Sequence, residues 1–461
     1  MQQTTNFERG KRPLLAFARL SAIFSLSVLA LTSSAAAQQA LYPQKEGTPQ
    51  TFITSDIPSW MKLDFELRSR TEDMSSLGLV QNKDRAYDLT RVWGGMTVTP
   101  TNWLTGYAQF MDTHAPGLPI ADTAANMRDN FDLRQGYLNF HYKPVQLLVG
   151  RFEIRIGDER VVGISDWTNN SRTWDGFYMR IGNKNQLNLF STSVVTVHPT
   201  SLDTHGAGLT FDGVHAKLTT YVPHTDIEPF VLVRTEPRVE SYQGTYGSET
   251  EVTFGSYYKT HWYGFDSSGT GMLQRGSYSN DSIQAGAGIV RGGYGAERLP
   301  WKPHLEAEYD YATGNSNPTG TQRGTFDQQY PSDHNAFGLV DLFGFQNIKQ
   351  RRVNLNLTPK ENLLILLQGG SLHLASKNDV AYSGAATTEI AMPTGGFKSD
   401  DLGTEFDASA KYIFHKSFVT NIGVGHFFPG AAVVEGEPTK HAPLTYAYLG
   451  FTYRFKVGHS S

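Results

Sequence analysis

Carboxylate and histidine side chains are the residues of this sequence whose types and spacing could support catalysis or metal binding. Glu306 and Glu308 stand two positions apart, and paired carboxylates can act as general acid and base. Residues two apart share one face of an extended strand, however, so the pair also fits a ladder of charges. Asp333, His334 and Asp341 could bind a metal ion, but they lack the tight spacing of zinc ligands. We therefore expect no catalytic residues and no metal site.

The composition limits the remaining chemistry. The 461-residue chain has no cysteine, which excludes disulfides, thiolate catalysis and cysteine-ligated zinc. His304, His373 and His426 lie in or near apolar runs, but none is accompanied by a nucleophile motif such as G-x-S-x-G. The 44 acidic and 40 basic residues are too evenly balanced to indicate a nucleic-acid partner. We expect no cofactor, although aspartate and asparagine residues in loops could bind calcium loosely.

The run "MKLDFELRSR" contains two sequences interleaved at period two. Its apolar positions are Met61, Leu63, Phe65 and Leu67, and its charged positions are Lys62, Asp64, Glu66, Arg68 and Arg70. Strict alternation predicts a β-strand with two unlike faces. The same pattern recurs at 304–311, 352–357, 405–412 and 446–455.

Lipid on one side of each strand and water on the other would explain these unlike faces. A sheet in lipid must close, because an open edge leaves unpaired backbone groups in hydrocarbon. A Lys or Arg on the lipid face costs ~2–4 kcal/mol near the midplane, so the charges decide which face points outward. A soluble β-sandwich or β-helix is the alternative, but its interior could not accept so many charges on one strand face.

The breaks between runs come in two sizes, which predict a barrel of eighteen strands. The short breaks are at 99–102, 143–146, 182–185, 223–226, 267–271 ("SSGTG"), 296–303, 358–362 and 414–417. The long polar breaks include 72–85, 113–129, 156–173, 237–256, 314–347 and 376–402. Short and long breaks alternate, as in all-β transmembrane antiparallel barrels with short periplasmic turns and long extracellular loops.

The ends of the chain indicate export and insertion. A basic start, the apolar stretch "SAIFSLSVLAL" and the small residues of "SSAAAQQ" predict a signal peptide over 1–37; a membrane anchor is the alternative. We assign 38–58 to an N-terminal extension, 59–455 to the barrel and 456–461 to a C-terminal tail. The final strand, "YAYLGFTYRF", resembles the signal read by the barrel-insertion machinery, although here "KVGHSS" follows it.

Several segments resemble the alginate-export family of outer-membrane barrels. They are "LRQGYLNFHYKPVQLLVGRFEIRIGDERVVGISDW", "SRTWDGF", "HLEAEYDYATGN", "HNAFGLVDLFGFQNI" and "VGHFFPG". The resemblance implies an eighteen-stranded barrel whose arginine-rich constriction passes an anionic polyuronate. It also implies that Arg134 and Arg151 are pore arginines, with Arg91 a looser match. Asn421 and Gly423 stand where the alginate exporter carries arginines, so the resemblance alone does not imply strong anion selectivity.

The alternation of "GRFEIR" assigns Arg151, Glu153 and Arg155 to the lumen and Phe152 to lipid. These charges could contact a substrate or form a ladder of ion pairs. By simple alternation Arg134 would face lipid, unless a bulge near Gly136 turned it inward. The pore-lining candidates are Arg134, Arg151, Arg155, Glu153, Arg91, Lys62, Arg68, Arg70 and Arg352. The polar segment 157–176 could fold into the mouth as a constriction or only cap it.

The sequence as a whole predicts a porin-like channel in the outer membrane of a Gram-negative bacterium. We expect it to pass hydrophilic, anionic oligo- or polysaccharides and to work as a monomer in outer-membrane lipid. A general porin of weak selectivity is the alternative; an outer-membrane barrel hydrolase is a further one. A barrel that only anchors the wall fits less well, because its inner face is polar enough to hold water.

Overall fold

The computed structural model describes residues 49–459, except Ala207 and Lys416. The expected signal peptide lies outside the described residues. The strands are β1 (Gln50–Thr54), β2 (Met61–Ser75), β3 (Arg85–Thr101), β4 (Leu104–His114), β5 (Asp129–Tyr142), β6 (Val145–Phe152), β7 (Trp174–Gly182), β8 (Gln186–Thr196), β9 (Thr204–His205), β10 (Thr210–Val222), β11 (Thr225–Glu240), β12 (Tyr246–Trp262), β13 (Phe265–Tyr278), β14 (Asp281–Gly295), β15 (His304–Ala312), β16 (Gln322–Arg323), β17 (Ile348–Lys360), β18 (Leu363–Leu374), β19 (Ala381–Tyr382), β20 (Thr388–Ile390), β21 (Asp401–His415), β22 (Phe418–Pro429) and β23 (Leu444–His459).

Eighteen of these strands form one closed antiparallel barrel, which confirms the predicted fold class. Closure occurs at β2, where Leu67 lies opposite Val92 of β3 on one side and Tyr453 of β23 on the other. β9, β16, β19 and β20 are short strands within connections. β1 pairs in parallel with the last five residues of β23, which continues to His459 rather than ending at Phe455.

Short helices occur only in connections of the described chain. They are α1 (Ala431–Gly436) and two 3-10 turns, Leu77–Leu79 and Ile120–Asp122. Within residues 49–459, the two undescribed positions aside, no helix is long and apolar enough to cross a membrane.

Eight short connections join strands at one end of the barrel, and seven lie where the sequence predicts them. The predicted turn at 267–271 is wrong, because these residues belong to β13. The true turn is Tyr263–Gly264, and both residues have the positive φ that a tight hairpin turn requires. Gly269 serves packing instead: an added Cβ would lie 2.9 Å from the ring of Tyr258.

The nine connections at the other end differ more from expectation. The predicted long loop at 237–256 is wrong, because β11 and β12 extend into it and only residues 241–245 connect them. β13 and β14 are joined by residues 279–280 alone. About ten residues cross a membrane, so strands of 14–17 residues carry their polar ends beyond it. Those polar ends resemble loops in the sequence.

The two faces of the barrel match the alternation read from the sequence. Leu67, Val92 and Phe254 are about half exposed on the outer face, while Glu66 and Arg91 are buried on the inner face. Exposed aromatic side chains near the short turns include Trp103, Tyr142, Tyr221, Trp262, Tyr263, Trp301 and Phe414. Aromatic girdles of this kind mark the lipid–water boundary of membrane barrels.

Two connections fold into the barrel and build an apolar core there. We call residues 153–173 the constriction loop and residues 313–347 the long loop. The two pair through Gly163 N–H to the Tyr330 carbonyl (2.8 Å) and Tyr330 N–H to the Val161 carbonyl (3.0 Å). Their buried apolar side chains include Ile154, Ile156, Val162, Ile164, Phe326, Phe337, Phe343 and Phe345.

Candidate channel constriction

Two arginines on the inner face of β2 hold the constriction loop by its backbone. Arg68 donates from Nη1 to the Asp166 carbonyl and from Nη2 to the Thr168 carbonyl, both at 2.6 Å. Arg70 donates to the Trp167 carbonyl at 2.8 Å and lies 3.8 Å from the centroid of the Trp167 ring. The segment predicted either to enter the mouth or to cap it therefore lies inside the barrel, against the arginine wall.

Buried charges around Asp166 form a closed network. Arg91 donates to Glu66 (2.5 Å) and to the Asp166 carboxylate (2.9 Å). Arg454 donates to the other oxygen of Glu66 and lies 3.6 Å from Asp166. Burial would raise the pKa of Asp166, but Arg91, Arg68 and Arg454 together hold it well below its usual range. The negative charge of Asp166 therefore compensates the buried positive charges of these three arginines.

Arg134 points into the lumen because β5 contains a bulge. Gln109 of β4 pairs with Gln135, and the next residue, Phe110, pairs with Leu133, so Arg134 is left between the two pairs. An extra residue of this kind reverses the alternation of side chains. The inward direction that the sequence allowed through a bulge near Gly136 is the one observed.

The guanidinium of Arg134 connects the wall to both ends of the constriction loop. It donates to Ser171 Oγ (2.6 Å), Gln109 Oε1 (2.5 Å) and Glu153 Oε1 (2.5 Å). Glu153 also accepts from Arg155 (3.1 Å), which donates to Glu159 at 2.7 Å as well. Burial would raise the pKa of Glu153, but Arg134 and Arg155 keep it lowered. Arg155 exposes 35% of its side chain, more than any other arginine in this network.

Arg151 does not face the lumen, which corrects the assignment made from the sequence. Strand partners share a face, and Val149 pairs with Leu138 and Phe177, all three exposed on the outer surface. Arg151 lies two residues beyond Val149 and pairs with Asp175 on that same face. It donates to both oxygens of Asp175, at 2.8 and 3.1 Å.

The loops inside the barrel explain the error. Phe152 and Leu148 point inward and pack with Tyr178 and Trp174 beneath the constriction loop. Val149 on the outer face and Leu148 and Phe152 on the inner face of β6 are all apolar, so alternation alone cannot distinguish lipid from a plugged lumen. Glu153 and Arg155 reach the lumen because the strand ends at Phe152, after which strand parity no longer applies.

A second charge network lies around Glu308 on β15. Arg352 of β17 and Arg160 of the constriction loop both donate to the Glu308 carboxylate, and Arg291 of β14 lies 3.1 Å from it. A polar cavity of about 60 Å³ borders this network, between both inserted loops and the wall. The sequence reading did not select Arg160, Arg291 or Arg454. Arg454 was recognisable from its polar parity in "YRF", whereas the partners of Arg160 lie about 150 residues away.

The remaining candidates for chemistry are engaged in packing and hydrogen bonds. Glu306 accepts from Asn354 Nδ2 at 2.7 Å, and His304 bonds Asp266 at 2.7 Å. His334 stacks on Trp167 with ring centroids 3.7 Å apart, and burial lowers its pKa to about 3.

Asp333, His334 and Asp341, which the sequence analysis weighed as metal ligands and set aside, are not among the grouped ligand atoms of the described residues. His334 bonds Asp341 rather than joining it in a cluster of three ligands. The carboxylates that the structure groups instead are those of Asp129, Asp132 and Asp203, which lie within 4.8 Å of one another.

The water-accessible inner face near the short turns is basic. We call the inward-pointing strand residues of this half the vestibule. Among the described residues, its half-buried or exposed cations are Lys62, Arg180, Lys217, Lys259, Lys411 and Lys456, and its accessible acids are Asp64 and Asp226. Buried acids of this half, such as Glu228 and Asp266, bond histidine or lysine partners. Of the pore-lining candidates, Lys62 lies in the vestibule, at its open end.

Comparisons with known proteins agree with the barrel. The sequence matches the model of a family described as alginate export over residues 59–446. A comparison with curated proteins finds no match. OccK11 (OpdR) of Pseudomonas aeruginosa is 11% identical, with 90% of this chain and all of that chain covered and a TM-score of 0.56. OccAB4 of Acinetobacter baumannii is 12% identical; the match covers 86% of this chain and 98% of that chain, with a TM-score of 0.59. The outer membrane protein OpdK of Pseudomonas aeruginosa is 11% identical; the match covers 86% of this chain and 98% of that chain, with a TM-score of 0.58.

Proposed function

Because this chain belongs to the alginate export family and forms an outer-membrane barrel, we propose that it passes anionic oligo- or polysaccharides across the outer membrane of a Gram-negative bacterium. The family and the fold are those of an outer-membrane channel. The anionic character of the solute, and passage without catalysis, are parts of the proposal.

The basic vestibule is the observation that carries the proposal. Among the residues that the structure describes, six accessible cations and two accessible acids line the periplasmic half of the lumen, and one of these cations, Lys217, pairs with the buried Glu228. Charges of one sign in a water-filled cleft raise the local concentration of oppositely charged solutes. A polyuronate bears one carboxylate per sugar, so several of its charges would lie among these cations at once.

We assign Arg155 to contacting the anionic solute as the solute passes from the vestibule to the constriction loop. Its guanidinium is partly exposed, and it is held by Glu153 and Glu159 rather than by the wall. Arginine binds carboxylates through two parallel hydrogen bonds. Arg68, Arg70, Arg91 and Arg134 instead position the loop that narrows the lumen.

A general porin of weak selectivity is the second candidate, and the buried charges favour it. Around Glu308, three arginines face four carboxylates, those of Asp158, Glu306, Glu308 and Asp310. This network carries no positive excess, so anion preference would have to come from the vestibule and Arg155. A hydrolase has no comparable support, because the candidate acid Glu308 is fully bonded to arginines.

We further propose that the channel works as a monomer after assembly by the barrel-insertion machinery. The eighteen strands close within one chain, so no second copy is needed to complete the wall. The lumen residues of the proposal are Arg68, Arg70, Arg91, Arg134, Glu153, Arg155 and Arg352, together with Lys62 at the periplasmic mouth.

Charge reversal in the vestibule tests the proposal. Arg180→Glu and Lys259→Glu should each weaken current block by an oligouronate, roughly 10-fold, because a favourable contact becomes repulsive. Lumen substitutions tune selectivity without preventing barrel formation. The measurement is the block constant in planar bilayers, from titration of the oligouronate on the periplasmic side.

Lys184→Glu is the matched control. Lys184 lies in the turn that follows β7, close in sequence to Arg180 but outside the lumen. Its reversal should change the block constant less than 2-fold. Equal effects of Arg180→Glu and Lys184→Glu would refute a specific role for the vestibule.

A further inference from the structure

The wall of the barrel has a seam above the short strand β6. β6 ends at Phe152, and its last partner on β5 is Gly136, so the extracellular part of β5 continues without it. The connection between β8 and β9 occupies this position. Asn130 N–H bonds the Pro199 carbonyl at 3.3 Å, and Asp203 N–H bonds Asp132 Oδ2 at 2.5 Å.

Three carboxylates meet at this seam. Asp129 and Asp132 come from β5 and Asp203 from the connection, with ligand oxygens within 4.8 Å of one another. Asp132 accepts from the N–H groups of Leu133 and Asp203, and Asp203 accepts from His198 N–H. These donors are backbone N–H groups, which carry no formal positive charge to set against the carboxylates.

Asp129 supplies a second, independent observation. Only 2% of Asp129 is exposed, and its buried Oδ1 has no hydrogen-bond partner in the part of the chain that the structure describes. A buried carboxylate oxygen without a partner is costly. This oxygen belongs to the group that converges on the other two carboxylates, which is the arrangement expected around a cation.

Arg151 is a protein cation that reaches the backbone of Asp203, and it is already engaged. Its Nε and Nη2 bond both oxygens of Asp175, and its Nη1 bonds the Leu133 carbonyl at 2.9 Å. Nη2 also reaches the Asp203 backbone carbonyl at 3.5 Å. The positive charge of Arg151 is therefore balanced by Asp175.

We propose that Asp129, Asp132 and Asp203 bind one calcium ion that closes the seam. Calcium binds oxygen at about 2.3–2.6 Å, so ligands on opposite sides lie about 4.6–5.2 Å apart; for magnesium the separation is about 4.0–4.2 Å. The three ligand oxygens lie no more than 4.8 Å from one another, so a single calcium ion can contact all of them. Water would complete the coordination. The ion would fix the connection that carries Asp203 against β5, a role separate from solute passage.

Calcium titration of the full-length protein in lipid-free detergent tests this site. After chelation, the protein should bind one equivalent of calcium saturably, and saturation should raise its Tm by several degrees. Magnesium should require at least a 10-fold higher concentration. Absence of saturable binding, or equal affinity for both ions, would overturn the proposal.

Variants locate the ion. Asp203→Asn and Asp129→Asn should each weaken calcium binding at least 10-fold, whereas Glu437→Gln, at the same rim but outside the cluster, should bind like the parent protein. Asp203→Asn changes a connection rather than a strand, so the barrel should form, as judged by its heat-modifiable migration on gels. Unchanged affinity in Asp203→Asn would place any bound calcium elsewhere and refute the assignment.

Discussion

Asp166→Asn is expected to release the constriction loop without altering the wall. The substitution keeps the shape of the side chain and removes the charge to which Arg91, Arg68 and Arg454 are matched. The backbone carbonyls of residues 166 and 168, which accept hydrogen bonds from Arg68, remain in place. Loosening of the loop would therefore follow from lost charge pairing and not from lost volume.

The size of the effect follows from the burial of the pair. Asp166 accepts from Arg91 at 2.9 Å, with side-chain exposures of 9% and 1%. Breaking a buried ion pair costs ~3–5 kcal/mol, and asparagine retains one acceptor, so we take about 3 kcal/mol. Each ~1.4 kcal/mol is a factor of ten, so the released population should rise roughly 100-fold.

Single-channel recording measures this population as brief openings of high conductance. Asp166→Asn should show such events roughly 100-fold more often than the parent, while Asp122→Asn, the same change at an exposed loop position, should not. The pKa of Asp166 is depressed. The ionised Asp166 therefore stabilises the docked loop fully at any pH above the ordinary pKa range of aspartate, and this stabilisation is lost only far below that range. The parent channel should therefore show few openings of high conductance at mildly acidic pH. Identical event rates in Asp166→Asn and the parent would refute the reasoning.

Three other outcomes are expected. Burial and Asp341 raise the pKa of Asp333 to about 7 when the long loop is docked. When the loop is released, Asp333 regains its ordinary pKa and loses its proton near pH 4. Docking should therefore weaken as pH rises from about 4 to about 7, and Asp333→Asn should abolish this trend in loop proteolysis. Arg151→Ala should lower the Tm by a few degrees, from ~1–3 kcal/mol of lost charge-assisted bonds to Asp175, with an unchanged reversal potential; a shifted potential would contradict its outer-face position. Phe152→Glu should destabilise loop packing and increase channel noise, and a quiet channel would contradict its inward position.

Most of the barrel could be predicted from alternation, because lipid imposes a rule that most strands obey. Seven of eight short turns lie at the predicted positions. The rule fails where the environment differs from the one assumed. β11 and β12 extend past the membrane into water, so their polar ends look like a loop. β6 faces lipid on one side and an apolar plug on the other, so its register was inverted in the sequence reading.

The site was predictable in its residue types but not in its contacts. Arg68, Arg70 and Arg91 were identified as inward arginines from parity or resemblance, and they do lie inside. Their partners are loop carbonyls and Asp166, nearly 100 residues away for Arg68. No local pattern encodes such contacts, because they depend on how a loop folds back into a closed wall. The bulge that turns Arg134 inward is likewise set by pairing with β4.

The sign of the zero-current potential tests the central claim most directly. The parent channel in a planar bilayer, under a tenfold salt gradient, should show a potential of the sign set by anion flow, because the accessible vestibule is basic. An added oligouronate should then block the current. A potential of the sign set by cation flow, together with no block by the oligouronate, would contradict the account.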